Sequence, residues 1–176
     1  AEKGNSKSTI ITTDFFKIDP NLKIELKSAY ANQYNAGGDN ALIDGIVGAE
    51  DFRTGTWQGY FDTDVVAIVD LGKVKNIKEI EVGFLKDQRS WIFLPTSVQY
   101  SISINGKKFD PIFTPKMKKI NESDKVEIEK VKAKVLKKAR YIKVVANKLG
   151  QLPKWHLGYK HNGRSWLFVD EIQIKQ

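Results

Sequence analysis

The sequence contains no cysteine. A disulfide framework, a nucleophilic thiolate and a thiolate-held metal are therefore excluded. Arginine is scarce: of 29 basic residues only Arg53, Arg89, Arg140 and Arg164 are arginine. Arginine is the side chain that forks onto phosphates and guanine edges, so the net charge of +8 does not select nucleic acid as a partner. No apolar run approaches the roughly 20 residues of a membrane-spanning helix, and no membrane insertion is expected. The chain opens at Ala1 without a signal-peptide pattern, as expected of an excised domain or a processed mature protein. Catalytic signatures are missing too. There is no nucleophile elbow, no zinc-type histidine spacing and no Gly-rich phosphate loop. Glycoside hydrolysis needs two carboxyls roughly 5–9.5 Å apart across one cleft. Asp170 and Glu171 are strand neighbours, expected on opposite faces, and Asp51 and Asp87 sit on separate loops without a supporting feature. The chain is not expected to be an enzyme.

What is present fits one domain. The chain has 176 residues, 41% of them hydrophobic, and a domain of this size buries about 70% of its unfolded surface without a staple. Residues 1–8 are polar and read as a frayed end; residues 9–176 show no repeat or linker and read as a single unit. Apolar alternation marks strands at 22–28, 77–85 and 97–106, the last ending in Asn105-Gly106, a dipeptide suited to a tight hairpin turn of two positive-φ residues. Its partner strand is expected around Phe109–Phe113. The continuous apolar run 64–72 reads as a strand buried on both faces. A short helix fits 39–44, with Asp39 or Asn40 as its cap. Residues 125–135 switch phase between Val126/Ile128 and Val131/Ala133/Val135; a strand with a slip at Lys130 accounts for this, and a helix is the competing reading. Strands at 139–148 and 166–175 complete an all-β sandwich or barrel of seven or eight strands. Nine lysines between Lys116 and Lys138 are interleaved with four acids, the pattern of a solvated strand face.

Several segments carry a resemblance. "VVAIVDLGKVKNIKEIEVGF", "LPTSVQYSISINGKKF", "ARYIKVVANK" and "FVDEIQI" resemble the discoidin (coagulation-factor type C) domain over about residues 30–175. More narrowly the chain resembles galactose-binding-like carbohydrate-binding modules of bacterial glycosidases. "YNAGGDNALIDG", "DFRTGTWQGY" and "LPKWHLG" resemble the C-terminal modules of β-hexosaminidase-like (chitobiase-like) enzymes of gut Bacteroidetes. The resemblance implies an eight-stranded jelly-roll sandwich and an appended, non-catalytic module. It also implies a structural Ca²⁺ under the first long loop. Asp44-Gly45 and Glu171 match the family's ligands, whereas its usual Thr position is Gly55 here, so Thr54 or Thr56 would have to substitute. The segment between Asp44 and Trp57 looks longer than usual, and Glu50 or Asp51 lies within it. Oxygen ligands of this kind suit Ca²⁺.

The residues themselves point to loop-borne recognition. Long loops at 30–63, 86–95 and 149–165 each hold Trp or Tyr, and loops positioned by a rigid scaffold carry function. A sugar offers a C–H face for an aromatic ring and hydroxyls for polar groups. Trp155 is the expected platform, with His156, Arg164 and Asp87 holding hydroxyls, Arg89 beside them and Trp91 flanking. Trp57 and Trp166 read as packing residues. The expected function is a monomeric, non-catalytic carbohydrate-binding module that keeps an attached, exported glycosidase near glycan of galactose or N-acetylhexosamine type. The compartment would be periplasmic, cell-surface or extracellular. The alternative is an accessory domain that packs on its catalytic partner through the aromatic loops without binding sugar. A third reading, an anionic lipid or polyanion partner, carries steep salt dependence as its mark.

Overall fold

The computed structural model describes residues 19–112 and 116–176, together with the backbone of Glu2–Lys3 (β1) and Ser6–Lys7 (β2), which pair antiparallel. The rest of the segment read as frayed, and Phe113 at the end of the expected partner strand, lie outside the described residues. The other strands are β3 (Lys23–Leu26), β4 (Gln58–Phe61), β5 (Val65–Lys86), β6 (Ser97–Ser103), β7 (Asp110–Pro111), β8 (Glu127–Asn147) and β9 (Trp166–Lys175).

Two of these strands are long and bent. The register between β5 and β8 slips between Asp70 and Lys75, and again between Ile77 and Glu79. Before the bend β5 pairs β3 and the second half of β8, which in turn pairs β6. After it β5 pairs β9 and the first half of β8, and β9 pairs β4. Val65, Ala67 and Val69 from one half of β5 share a single core with Ile80, Val82 and Phe84 from the other. The sheet therefore folds over itself into two layers. Tyr100 of β6 ties them, donating its hydroxyl to the Val131 carbonyl at 2.8 Å. Counted by halves, the described residues hold eight strands of four residues or more, in the sandwich expected.

Local expectations met the tertiary structure unevenly. The run 64–72 is deeply buried on one face only; Val66 and Ile68 are half-buried on the other. The short helix is a 3-10 turn, Ala41–Ile43, whose cap residue Asn40 makes no side-chain capping bond. After Ser103 only Gly106 takes positive φ, at 72°. The turn is wider than a two-residue hairpin because Ser103 Oγ accepts from Gly106 N–H and Asn105 Oδ1 accepts from Lys107 N–H, so side chains close it. Residues 127–135 are strand, but Lys130 sits opposite Gly83 in an unbroken ladder. The phase switch comes from burial of both faces. Val131 and Ala133 enter the main core, whereas Val126 and Ile128 pack on a second cluster of Trp57, Leu85, Ile92 and Phe168 on the outer face. The bulge lies further on, at Val135–Leu136 opposite Lys78, where Leu136 takes φ 51°.

The second cluster is roofed by the loop before β4. Gly48 lies on the Trp57 indole, whose Nε1 donates to the Ala49 carbonyl at 2.8 Å. A Cβ on Gly48 would stand 2.2 Å from Trp57 Cε2. We expect Gly48→Ala to lower stability by about 1–3 kcal/mol through overpacking against a ring that cannot move aside, read as a fall of several degrees in the calorimetric midpoint.

Candidate functional site

One end of the sandwich gathers both ends of β5 and β8, the starts of β6 and β9, and the loops that lead into them. The loop 87–96 opens with Asp87 and Ile92 exchanging backbone hydrogen bonds at 3.1 and 3.0 Å. Between them Gln88–Ser90 forms a 3-10 turn that ends at Trp91 with φ 65°. The loop 148–165 carries a second 3-10 turn, Leu157–His161, ending at Asn162 with φ 57°.

His156 joins the two loops. Its Nδ1 accepts the Gly158 N–H at 3.1 Å, which leaves the proton on Nε2, and Nε2 donates to the Gln88 carbonyl at 2.8 Å. The side chain is buried, edge-on to Trp91 at 5.9 Å and to Phe93 at 5.6 Å. Neither ring nitrogen is left for a hydroxyl ligand, so the expected contact role of His156 becomes a pinning role. Trp91 is half-buried under the second loop. A Cβ on Gly158 would come within 2.8 Å of its indole, and one on Gly163 within 2.9 Å. Trp91 is thus a floor on which glycines lie, more than a flank open to solvent.

The remaining expected residues are closer to the surface. Trp155 is 37% exposed and tilts against Phe93 at 6.1 Å. Asp87 accepts the Ser90 hydroxyl at 2.6 Å. Arg89 is exposed and forks onto Asp124, Nε to Oδ1 at 3.0 Å and Nη2 to Oδ2 at 2.9 Å. Arg164 is exposed on the other side of its loop, 3.8 Å from Asp62. A cavity of about 230 Å³ opens beside Phe93, with Lys86, Gln88, Leu94, Lys119 and Asn121 among its walls.

Two features escaped sequence reasoning. Gln88 is buried and anchors a third segment: its amide donates to the Asn121 carbonyl at 2.8 Å and accepts the Ser123 N–H at 2.7 Å. Phe61 and Trp166 form an aromatic pair at 4.9 Å with Phe61 half open to solvent. They face each other across β4 and β9, a pairing the sequence could have offered only once those strands were known neighbours. Beside them Asp62 holds φ 45° and pairs with Lys148 at 2.8 Å.

The expected metal residues separate into two groups. β9 carries a bulge: Asp170 and Glu171 together oppose Gly83, between the pairs Val82–Ile172 and Phe84–Val169. The two acids are therefore not placed on opposite faces as simple alternation predicts; both turn to the roofing loop. Asp170 accepts the Gly48 N–H at 2.9 Å and Glu171 the Gly45 N–H at 3.1 Å. Burial, with Asp44 and Asp170 nearby, pushes the Glu171 carboxyl up to about 8. Burial also raises Asp44 and Asp170. Thr54 does not join them. Its hydroxyl donates to the Asp51 carbonyl at 2.9 Å and lies 3.1 Å from that of Thr56. Among the described residues no three His, Cys, Asp or Glu side chains form a metal cage. The chemistry of Asp44 and Glu171, a half-buried and a buried carboxyl at one loop, fits a hard cation that also takes backbone oxygens.

Residues 24–172 match the family model described as the F5/8 type C domain. No curated protein matches the chain. Among solved structures it is similar to the C-terminal domain of a chitobiase from Bacteroides fragilis, with 18% identity and a TM-score of 0.54, covering 90% of this chain and 95% of that one. It is similar to CpGH89CBM32-6 of Clostridium perfringens, at 17% identity and TM-score 0.53 over 90% of this chain and 96% of that one. A third likeness is CpGH89CBM32-5 of Clostridium perfringens, solved in complex with GalNAc-β-1,3-galactose, at 17% identity and TM-score 0.53 over 89% of this chain and 96% of that one. At these identities the likenesses establish the fold.

The raised Glu171 carboxyl has a signed consequence. Its folded value, about 8, lies above the ordinary 4.5. The group's contribution to stability is therefore full below pH 4.5 and is lost as the pH rises toward 8. In metal-free buffer we expect stability to fall across that window by an amount on the order of a few kcal/mol at most, read as a falling midpoint of thermal unfolding. Glu171→Gln should flatten the fall, which scanning calorimetry in chelator from pH 5 to 8.5 would show.

Proposed function

The chain belongs to the F5/8 type C domain family, and from that membership we propose that it is a non-catalytic carbohydrate-binding module. The observation that carries this reading is Trp155: an indole 37% open to solvent, on a base fixed by the bond from His156 to Gln88. A ring held still at the rim of a rigid scaffold can take the C–H face of a sugar without first being ordered. Asp87, Arg89 and Arg164 supply hydroxyl partners near the same end. His156 and Trp91 hold the loops. The likeness to modules solved with galactose-containing glycans supports galactose or N-acetylhexosamine as the ligand class. The likeness to a chitobiase C-terminal domain supports a tether to an exported glycosidase. Tethering raises effective concentration at the glycan without new chemistry. Monovalent affinity is weak, because one ring and a few exposed hydrogen bonds yield little net free energy.

One structural Ca²⁺ belongs to the same proposal. Asp44 and Glu171 would hold it with backbone oxygens of the Gly45 loop, and it would order that loop by neutralising the half-buried Asp44 and the buried Glu171. Ca²⁺ should raise the unfolding midpoint by several degrees at pH 8 in the wild-type chain and not in Glu171→Gln; an unchanged wild-type midpoint removes the metal from the picture.

A glycan array at high ligand density, followed by titration calorimetry of the hits, tests the main reading. Trp155→Ala should weaken binding about tenfold or more, roughly 1.4 kcal/mol, while lowering the unfolding midpoint less than His156→Ala does. His156→Ala should weaken binding and lower the midpoint together. Absence of binding to any glycan would leave the accessory-domain reading, in which the Phe61–Trp166 pair packs on a catalytic partner.

A further inference from the structure

The other end of the sandwich has a different chemistry. There the bend of β5 (residues 71–75), the turn after β6 (104–109) and the bulged stretch of β8 (134–141) come together. Lys75 pairs with Ala139, Lys137 with Ile77 and Ser103 with Tyr141, and Gly106 lies on the Tyr141 ring. The stretch Leu136–Tyr141 passes all three, about 17 Å at the usual rise per strand residue.

Six lysines crowd this stretch: Lys73, Lys107, Lys108, Lys134, Lys137 and Lys138. All are exposed, and none has an ion-pair partner among the described residues. The acids that reach this end are committed elsewhere. Asp70 is forked by Arg140 at 2.8 and 2.9 Å, Glu79 is held by Lys175 at 2.7 Å and Asp19 by Lys75 at 2.7 Å. Of the acids here, Asp110 alone stands outside an ion pair among the described residues. The contrast with the first half of the basic segment is sharp. There Lys118 pairs with Glu129, Lys125 with Glu127, and Lys130 and Lys132 with Glu81.

We propose that this end is a second binding face, for a linear acidic polysaccharide bearing carboxylate or sulfate groups. Charge complementarity names the partner as an anion, and the spread of six lysines over three elements names it as an extended one. Lysine is a hydrated point charge on a flexible stem, suited to scattered anionic groups along a chain, whereas reading guanine edges draws on forked arginine. The one arginine here, Arg140, is spent on Asp70. Among the described residues the exposed large apolar side chains at this end are Val74, Ile104 and Leu136, all aliphatic. Among the described residues no exposed aromatic belt accompanies them, which weighs against a bilayer interface. The site lies at the far end of the layers from Trp155 and does not depend on the glycan assigned there.

The test uses the whole chain and its triple variant Lys134→Glu/Lys137→Glu/Lys138→Glu, whose exposed positions leave the core untouched. Binding to polygalacturonate and to a sulfated glycosaminoglycan is measured by interferometry, with neutral dextran, duplex DNA and vesicles containing anionic lipid alongside. The wild type should bind the acidic polysaccharides and lose about tenfold or more of that affinity between roughly 50 and 300 mM salt. The triple variant should lose about tenfold or more at low salt with an unchanged unfolding midpoint, and Trp155→Ala should bind as the wild type does. Undiminished binding by the triple variant overturns the proposal. So does equal or tighter binding to DNA or vesicles at the same salt, which would mark a face without polysaccharide preference. Loss of polysaccharide binding in Trp155→Ala would move the site to the aromatic end and overturn it as well.

Discussion

The bond from His156 Nε2 to the Gln88 carbonyl is the constraint on which the aromatic end depends. It adds a side-chain tie to the backbone bonds that Trp91 and Phe93 exchange with Trp166 where the second loop enters β9. With it, the imidazole is satisfied at both nitrogens inside an aromatic enclosure of Trp91, Phe93 and Trp155, where an unpaired polar atom would be costly. The same Gln88 carries the restraint onward through its side chain to Asn121 and Ser123. Three loops distant in sequence are thereby held as one rim, and Trp155 is displayed on it. The glycines at 158 and 163 belong to this arrangement, since the Trp91 ring occupies the space their side chains would need.

A second restraint of the same kind works lower on the sandwich. One extra residue in β9 aims Asp170 and Glu171 at the loop that roofs Trp57. Buried acids accepting backbone N–H groups hold the roof down, but burial penalises their charged forms. That tension is the physical argument for the proposed cation at Asp44 and Glu171. Ordering of the first long loop and of the recognition rim thus rest on different chemistry, neutral hydrogen bonding at the rim and carboxylate anchoring beneath the roof.

Charge is distributed as unevenly as aromaticity. Ion pairs take up Lys118, Lys125, Lys130 and Lys132 in the first part of the segment 116–138, the solvated strand face its alternation suggests. At the bend of β5 and β8 the lysines outnumber the acids, and those acids are mostly committed to other cations. The sandwich therefore presents an aromatic rim at one end and a basic aliphatic surface at the other, separated by the length of its strands.

Much of this was legible in the residues alone. Alternation located most of the strands but missed β4, whose residues Gln58–Phe61 read as part of the loop 30–63 and become a strand only by pairing β9; the absence of long amphipathic helices selected two β layers, and the aromatic loops were found because indoles are scarce and conspicuous. Trp57 read correctly as packing. Local pattern could not report that Val126 and Ile128 face a second cluster, so their phase was explained by a slip that lies instead at Val135–Leu136. Nor could it place the bulge at Asp170–Glu171 or show that His156 is consumed by a carbonyl 68 residues away. Periodicity records which side chains avoid water. It carries no information on which distant backbone group will meet a given imidazole, carboxylate or amide, because that is decided only when the layers close and bring those groups within hydrogen-bonding range.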